Sequence, residues 1–259
     1  MKKFTKLTAF ALALVMALGL LAGCGGSNSD NSTPSGDDTA KTKLVVATSP
    51  DFPPFESLEG GEVVGIEVDI LNKIAEKMGM ELDIQQMDFD SVIPGVQAGK
   101  FDVGMSGITV TDKRKENVDF SSVYFMAAQA IVVTADSGIT GKADLEGKKV
   151  SVQTGTTAEE YCMGNGYEVL AFTANNDAAA ALTSGKVDPW VVDNEVALAM
   201  APELGLTVLD EAMTSEPYAF AFQKGSELVA PFNEALDALL ADGTVEKIFQ
   251  QYGVTYIAP

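Results

Sequence analysis

The chain has 259 residues, a formal net charge of −20 at pH 7 from 17 basic and 37 acidic side chains, and no histidine. Without an imidazole, catalysis by a histidine base and zinc sites of the Cys/His kind are excluded. The negative charge repels phosphate backbones, so nucleic-acid binding is not expected.

The first 24 residues form a predicted export signal. Three lysines precede the apolar run Leu7–Leu21, whose 15 residues are fewer than the roughly 20 that a spanning helix needs. An anchoring helix is the alternative. The small residues before Cys24 resemble the bacterial lipobox, which implies removal of residues 1–23 and a diacylglyceryl lipid on Cys24. Residues 25–43 have almost no apolar side chain and predict a flexible tether.

From Leu44 onward, short apolar strands alternate with helices, which predicts an α/β architecture. The chain length suits one large domain or two of about 100 residues. The predicted strands are Leu44–Thr48, Leu82–Met87, Phe101–Met105, Ala130–Thr134, Lys149–Gln153, Glu168–Phe172, Val187–Val192, Thr207–Leu209 and Tyr218–Phe222.

The predicted helices begin at polar caps. The clearest is Glu67–Met78, which carries apolar residues on one face and has Gly79 as a left-handed stop. By the rule that Asp, Asn, Ser and Thr begin helices, the other predicted caps are Asp90, Thr111, Asn175, Asp193 and Ser226.

Two segments of the sequence echo each other. Residues 97–103 and residues 183–188 each end a helix with Gly-Lys and enter a strand through an apolar residue and Asp. About 86 residues separate them, which is near the size of one lobe in a two-lobed chain. The echo suggests two similar lobes, although Gly-Lys is also a common helix exit.

Arg114 is the only arginine beside 16 lysines. Its planar fork can bind a carboxylate through two hydrogen bonds, which lysine cannot do. Arg114 follows a run of small polar residues, 106–111, at the carboxyl end of a predicted strand, where open α/β sheets bind ligands. The alternative is that Lys113, Arg114 and Lys115 form a solvated helix face.

Two further segments could face the same ligand. Residues 152–159 run from a strand through Gly155 into a helix capped by threonine, and offer backbone donors and hydroxyl groups to an anion. Such turns are also often purely structural. Asp193 ends a strand, where it can cap the next helix or face a cation, and capping is its more common role.

Six segments resemble the amino-acid-binding proteins of bacterial ABC importers, over Leu44–Gly253. They are DFPPFE at 51–56, GIEVDI at 65–70, DFDSVIP at 88–94, GKFD at 99–102, MSGITVTDKR at 105–114 and FSSVY at 120–124. The resemblance implies an α/β, two-lobed periplasmic-binding-protein-like fold of type II, with mixed sheets flanked by helices. The ligand, a free amino acid, would bind in the cleft between the lobes.

The resemblance also assigns ligand-binding roles. Arg114, helped by Ser106, Thr109 and the Gly107 backbone, would hold the α-carboxylate, together with the turn Gly155, Thr156 and Thr157 of the second lobe. Asp193 would receive the α-ammonium group, and Phe52 and Phe89 would sandwich the side chain. Gly107 stands where basic-amino-acid binders often have a serine, so one possible hydroxyl contact is missing. Asp51 and Gln153 are candidates for setting side-chain preference, and Asp51 alternatively caps the Pro53-Pro54 turn.

The implied mechanism is hinge closure, as in periplasmic binding proteins. Lobe 1 would comprise residues 44–130 and 218–259, and lobe 2 residues 131–217, with hinge strands near Ile131–Thr134 and Glu216–Tyr218. The expected protein is a monomer without cofactor or metal, held at the outer face of the cytoplasmic membrane. Its partners would be an ABC permease and, indirectly, a separate ATPase, because the chain contains no phosphate-binding Gly-x-x-x-x-Gly-Lys motif.

Two other functions remain open at this point. Related two-lobed proteins include cyclohexadienyl dehydratases, in which a general acid works in the closed cleft, and Glu159 and Glu160 are candidates for that acid. The other alternative is an extracellular sensory module. Cys162 is predicted to be a buried, inert thiol, and Trp190 is predicted to pack in the core.

Overall fold

A computed structural model describes residues 42–259. The predicted signal peptide, Cys24 and almost the whole predicted tether lie outside the described residues. Within residues 42–259, no helix is long and apolar enough to cross a membrane.

The described residues contain short strands and helices in alternation. The strands are β1 Lys43–Thr48, β2 Asp51–Phe52, β3 Glu56–Glu59, β4 Glu62–Val64, β5 Glu81–Gln86, β6 Val103–Gly104, β7 Val118–Phe120, β8 Phe125–Ala127, β9 Gln129–Val133, β10 Lys149–Gln153, β11 Glu168–Phe172, β12 Pro189–Asp193, β13 Thr207–Val208, β14 Glu216–Tyr218 and β15 Ala221–Gln223. The α-helices are α1 Ile66–Met78, α2 Phe89–Gln97, α3 Asp112–Lys115, α4 Thr157–Gly164, α5 Asn175–Thr183, α6 Asn194–Met200, α7 Val229–Ala241 and α8 Thr244–Gln251.

Two mixed, five-stranded sheets form the framework. The first has the order β5-β1-β6-β15-β7, and its β1 runs parallel to β5 and β6 while β15 runs antiparallel to β6 and β7. The second has the order β11-β10-β12-β9-β13, with β10 parallel to β11 and β12. The predicted α/β architecture with mixed sheets flanked by helices is therefore confirmed.

The chain passes from one sheet to the other at two places. Ala128 lies between β8 and β9 on the outward crossing, and β14 precedes β15 on the return. Asn194 holds the outward crossing: its Oδ1 accepts from the Ala128 N–H at 3.1 Å, and its own N–H donates to the Ala128 carbonyl at 2.8 Å. The hinge function of these crossings and the lobe boundaries stay predictions.

The two segments that echo in sequence also share their local geometry. Gly99 and Gly185 end α2 and α5 with positive φ angles of 70° and 71°. Asp102 then exchanges two hydrogen bonds with the backbone of Val45, and Asp188 does the same with Lys149. The same exit from a helix into a strand thus occurs once beside each sheet.

Some predicted boundaries were wrong. Asp90 lies inside α2, which begins at Phe89, and Asn175 is the first residue of α5, not its cap. Asn175 does not cap because its side chain bonds to another strand end. Thr111 is confirmed as a cap, since its hydroxyl accepts from the Arg114 N–H at 3.1 Å. The predicted strand Tyr218–Phe222 is interrupted, because this segment crosses between sheets.

The cores confirm two minor predictions. Trp190 is fully buried beside α5 and α6 residues. Cys162 is fully buried in α4, and burial raises the pKa of its thiol to about 12, which keeps the thiol protonated and inert.

Candidate functional site

A cavity lies between the two sheets. Its lining residues are Phe52, Phe89, Ser106, Gly107, Thr109, Arg114, Gln153, Thr156, Thr157, Ala158, Asn175, Val191, Val192 and Asp193. Nine of the ten residues predicted to bind ligand are in this set. The exception is Gly155, whose carbonyl accepts a hydrogen bond from the lining residue Arg114.

Arg114 spans the cleft. Its Nη1 donates to the Thr109 carbonyl at 2.9 Å, and its Nη2 donates to the Gly155 carbonyl, next to the second sheet, at 3.1 Å. The guanidinium carbon lies 5.7 Å from the centre of the Phe89 ring. Burial lowers the pKa of Arg114, although it stays a cation. Its neighbours Lys113 and Lys115 are exposed, so the solvated-face interpretation fits them but not Arg114.

The first turn of α4 also lines the cavity. Thr156 caps the helix by accepting from the Glu159 N–H at 3.2 Å, and the Glu159 carboxylate accepts from the Gly155 N–H at 2.7 Å. By their position in the first turn, the N–H groups of Thr157 and Ala158 have no acceptor within the helix. They and the guanidinium provide positive potential for a carboxylate. The Gly155 N–H, which was expected to donate to the ligand, is already engaged.

Asp193 is the acidic residue that lines the cavity. It occupies the predicted N-cap position of α6, but its side chain makes no capping hydrogen bond. Its carboxylate accepts hydrogen bonds from the Gln129 amide and the Tyr218 hydroxyl instead. Burial, together with the nearby Glu216 carboxylate, raises the pKa of Asp193 to about 7. A buried carboxylate with this pKa gains most from a cationic partner.

Ser106 and Gly107 direct their donors away from a ligand. The Ser106 hydroxyl donates to Glu56 at 2.9 Å, and the Gly107 N–H donates to Glu67 at 2.9 Å. Both glutamates are fully buried. The expectation that these donors hold the ligand carboxylate is therefore not supported, because buried carboxylates behind the loop already accept from both.

Phe52 explains why residue 107 is glycine. Gly107 has a φ of +51°, and a Cβ atom there would lie 2.5 Å from Cε1 of the Phe52 ring. Any larger residue would displace the ring, which lines the cavity together with Phe89. Glycine in place of serine at residue 107 thus leaves room for the Phe52 ring in the cavity wall.

Sequence reasoning missed Ala158, Asn175, Val191 and Val192 as cavity residues. The two valines end β12 just before Asp193, so the strand end itself was the available signal. Asn175 was interpreted only as a helix cap. Its contact with Gln153, 22 residues earlier, depends on the tertiary fold and has no local signal in the sequence.

Comparison with known proteins agrees with this geometry. The family model described as bacterial extracellular solute-binding proteins, family 3, matches residues 44–255. The arginine-binding extracellular protein ArtP of Bacillus subtilis is 35% identical over 240 residues, which are 90% of this chain and 92% of ArtP.

Solved structures share the fold. An ancestral arginine-binding protein bound to glutamine superposes with a TM-score of 0.78 and 41% identity, over 82% of this chain and 98% of that chain. The ancestral amino acid-binding protein AncCDT-1, a precursor of cyclohexadienyl dehydratase, gives a TM-score of 0.76 and 35% identity, over 82% and 95% of the two chains. These neighbours confirm the predicted two-lobed fold.

Proposed function

Because the chain belongs to family 3 of the bacterial extracellular solute-binding proteins, we propose that it captures a free amino acid between its lobes and delivers it to the permease of an ABC importer. ArtP is named as arginine-binding, and one structural neighbour is an arginine-binding protein bound to glutamine. An amino acid is thus the ligand class that these relatives have in common.

The observation that carries the proposal is that a cation, Arg114, and a buried carboxylate, Asp193, line the same cavity. Arg114 and the first turn of α4 suit an α-carboxylate, and Asp193 suits an α-ammonium group. Since Arg114 belongs to one side of the cleft and Asp193 to the other, a zwitterion satisfies both only when the lobes are closed. Closure then reports occupancy to the permease.

The proposal includes a location. Lipidation at Cys24 would hold the protein at the outer face of the membrane, where a monomer on a tether can reach the permease. Mass spectrometry of the membrane-extracted protein would show residue 24 as a lipid-modified N-terminus. An intact N-terminus beginning at residue 1 would contradict this part.

A dehydratase is the second candidate, because AncCDT-1 is a precursor of such an enzyme. The two glutamates suggested as the general acid are occupied elsewhere. Glu159 accepts from the Gly155 N–H, and Glu160 pairs with Lys113 at 2.5 Å on the exposed rim of the cleft. Neither lines the cavity. The site therefore supports binding better than elimination chemistry.

A thermal-shift screen tests the proposal. The chain lacking residues 1–24 is heated with each of the twenty common amino acids, and with ornithine, citrulline and prephenate. A ligand that binds the folded state raises the melting temperature in proportion to the logarithm of its concentration. We expect a shift with one or a few amino acids. No shift with any amino acid, combined with consumption of prephenate, would favour the enzyme instead.

A further inference from the structure

The Asp51 carboxylate reaches across the cleft. Asp51 lies in β2, next to the first sheet, and accepts the backbone N–H of Asn175, at the start of α5 beside the second sheet, at 2.7 Å. It also accepts the Gln153 side-chain amide at 3.2 Å and the Ser49 hydroxyl at 3.0 Å. Only an ionised carboxylate accepts from all these donors without needing an acceptor of its own.

These contacts determine which way the Gln153 amide faces. Its Nε2 group donates to Asp51 and to the Thr173 carbonyl at 3.1 Å. The reverse orientation would place the amide oxygen against these acceptor oxygens, so it is excluded by repulsion. Gln153 Oε1 consequently faces Asn175 and accepts its Nδ2 group at 2.9 Å.

The orientation continues from Gln153 to Asn175. Because the Asn175 Nδ2 group is turned to Gln153, the Oδ1 atom on the other side of that planar amide is left for the cavity that both residues line. Among residues 42–259, no donor is hydrogen-bonded to this oxygen. The wall formed by Gln153 and Asn175 therefore presents an acceptor, Asn175 Oδ1, and no amide donor.

We propose that Asp51 sets the ligand preference of the cleft by holding Gln153, and through it Asn175, so that Asn175 Oδ1 is left as an acceptor for the cavity and the ligand side chain is a cation bearing N–H donors. The inference rests on the proposed function, since it concerns the side chain of a bound amino acid. Asp51 acts through Gln153 and Asn175 and is a positioning residue.

Charge favours a cation over a neutral amide. Arg114 and Asp193 match the two charges of the zwitterion, and Asp51 adds a further negative charge beside the wall. Phe52 and Phe89 offer aromatic faces to a planar or ammonium cation. A glutamate side chain would meet acceptor oxygens and like charge at once, which leaves its own oxygens unpaired.

The test compares arginine, its neutral isostere citrulline, and glutamate on the full-length chain by titration calorimetry. We expect arginine to bind most tightly, citrulline more weakly and glutamate weakest. In Asp51→Asn, the new amide removes both the charge and the constraint on Gln153. The ratio of the glutamate Kd to the arginine Kd should then fall by about tenfold or more, the scale of one hydrogen bond to a charged group.

Lys113→Met provides the matched control. It removes another contact across the cleft, the exposed pair with Glu160, without touching the wall. Weaker closure lowers every affinity by the same factor, so the glutamate-to-arginine ratio should stay constant. A change in the ratio of the two Kd values therefore indicates altered specificity. An equal change in both Kd values indicates altered closure.

Each outcome has a defined meaning. If the wild-type chain binds glutamate as tightly as arginine, or if Asp51→Asn leaves the ratio unchanged, the inference is wrong while the proposed function stands. If none of the amino acids binds, the proposed function itself fails. Should Asp51→Asn not fold, Asn175→Ala removes the acceptor oxygen directly and must lower the same ratio.

Discussion

Arg114→Lys isolates the value of the guanidinium fork at constant charge. Arg114 contacts the Thr109 carbonyl on one side of the cleft and the Gly155 carbonyl on the other. Its remaining N–H groups are available to a ligand carboxylate. A lysine keeps the charge but cannot donate in two parallel directions. Loss of one hydrogen bond to a charged group costs about 1.5–3 kcal/mol, so we expect affinity to fall about 30-fold.

Titration calorimetry with the amino acid that gives the largest thermal shift measures this change. Lys115→Met is the control: Lys115 lies next to Arg114 on α3 but is exposed and pairs with Asp112 at 3.5 Å. An exposed pair contributes little, so the control should stay within about twofold of the wild type. Equal affinities for the wild type and Arg114→Lys would show that the guanidinium does not bind the ligand carboxylate.

Three more results are expected. Asp193 has a pKa of about 7 and must be ionised to accept an ammonium group. Its ionised fraction rises about tenfold from pH 6 to pH 8, so the affinity for the amino acid should rise by the same factor. Calorimetry showing no rise would contradict the assignment of Asp193 to the ammonium group. Burial beside Glu67 raises the pKa of Glu56 above 4.5. The folded state therefore keeps a proton that the unfolded state releases, and the free energy of unfolding should fall as the pH rises above about 4.5. Urea unfolding at several pH values should show a fall of up to about 1.4 kcal/mol per pH unit. Glu56→Gln should remove that part of the slope, and an unchanged slope would assign it to other groups. Gly107→Ala should lower the melting temperature by the equivalent of about 1–3 kcal/mol because of contact with Phe52, and additional Phe52→Leu should recover part of the loss.

The sequence predicted the fold and the charged ends of the site for local reasons. The strands β10 and β11 were predicted with the observed bounds, because each is a short run rich in apolar and β-branched residues. Arg114 stood out by composition, and Thr156 by its place before a helix. Both kinds of signal lie within a few neighbouring residues.

The parts that failed depend on distant contacts. The short hairpin strands β2 to β4 are half polar and gave no periodic signal, and Asn175 was assigned to a cap because its partners could not be known. Asp51 lies 102 residues from Gln153 and 124 residues from Asn175 along the chain. A single sequence cannot show that such residues meet, so the orientation of the wall amides had to come from the structure.

The Asp193 carboxylate contacts both strands at which the chain crosses between the sheets. Asp193 accepts from Gln129, which begins β9 at the outward crossing, and from Tyr218, which ends β14 at the return crossing. The next residue, Asn194, holds both backbone groups of Ala128 between β8 and β9. The carboxylate proposed to bind the ammonium group is thus hydrogen-bonded to both crossing strands. Arg114 joins the two sheets through a different contact, with the Gly155 carbonyl.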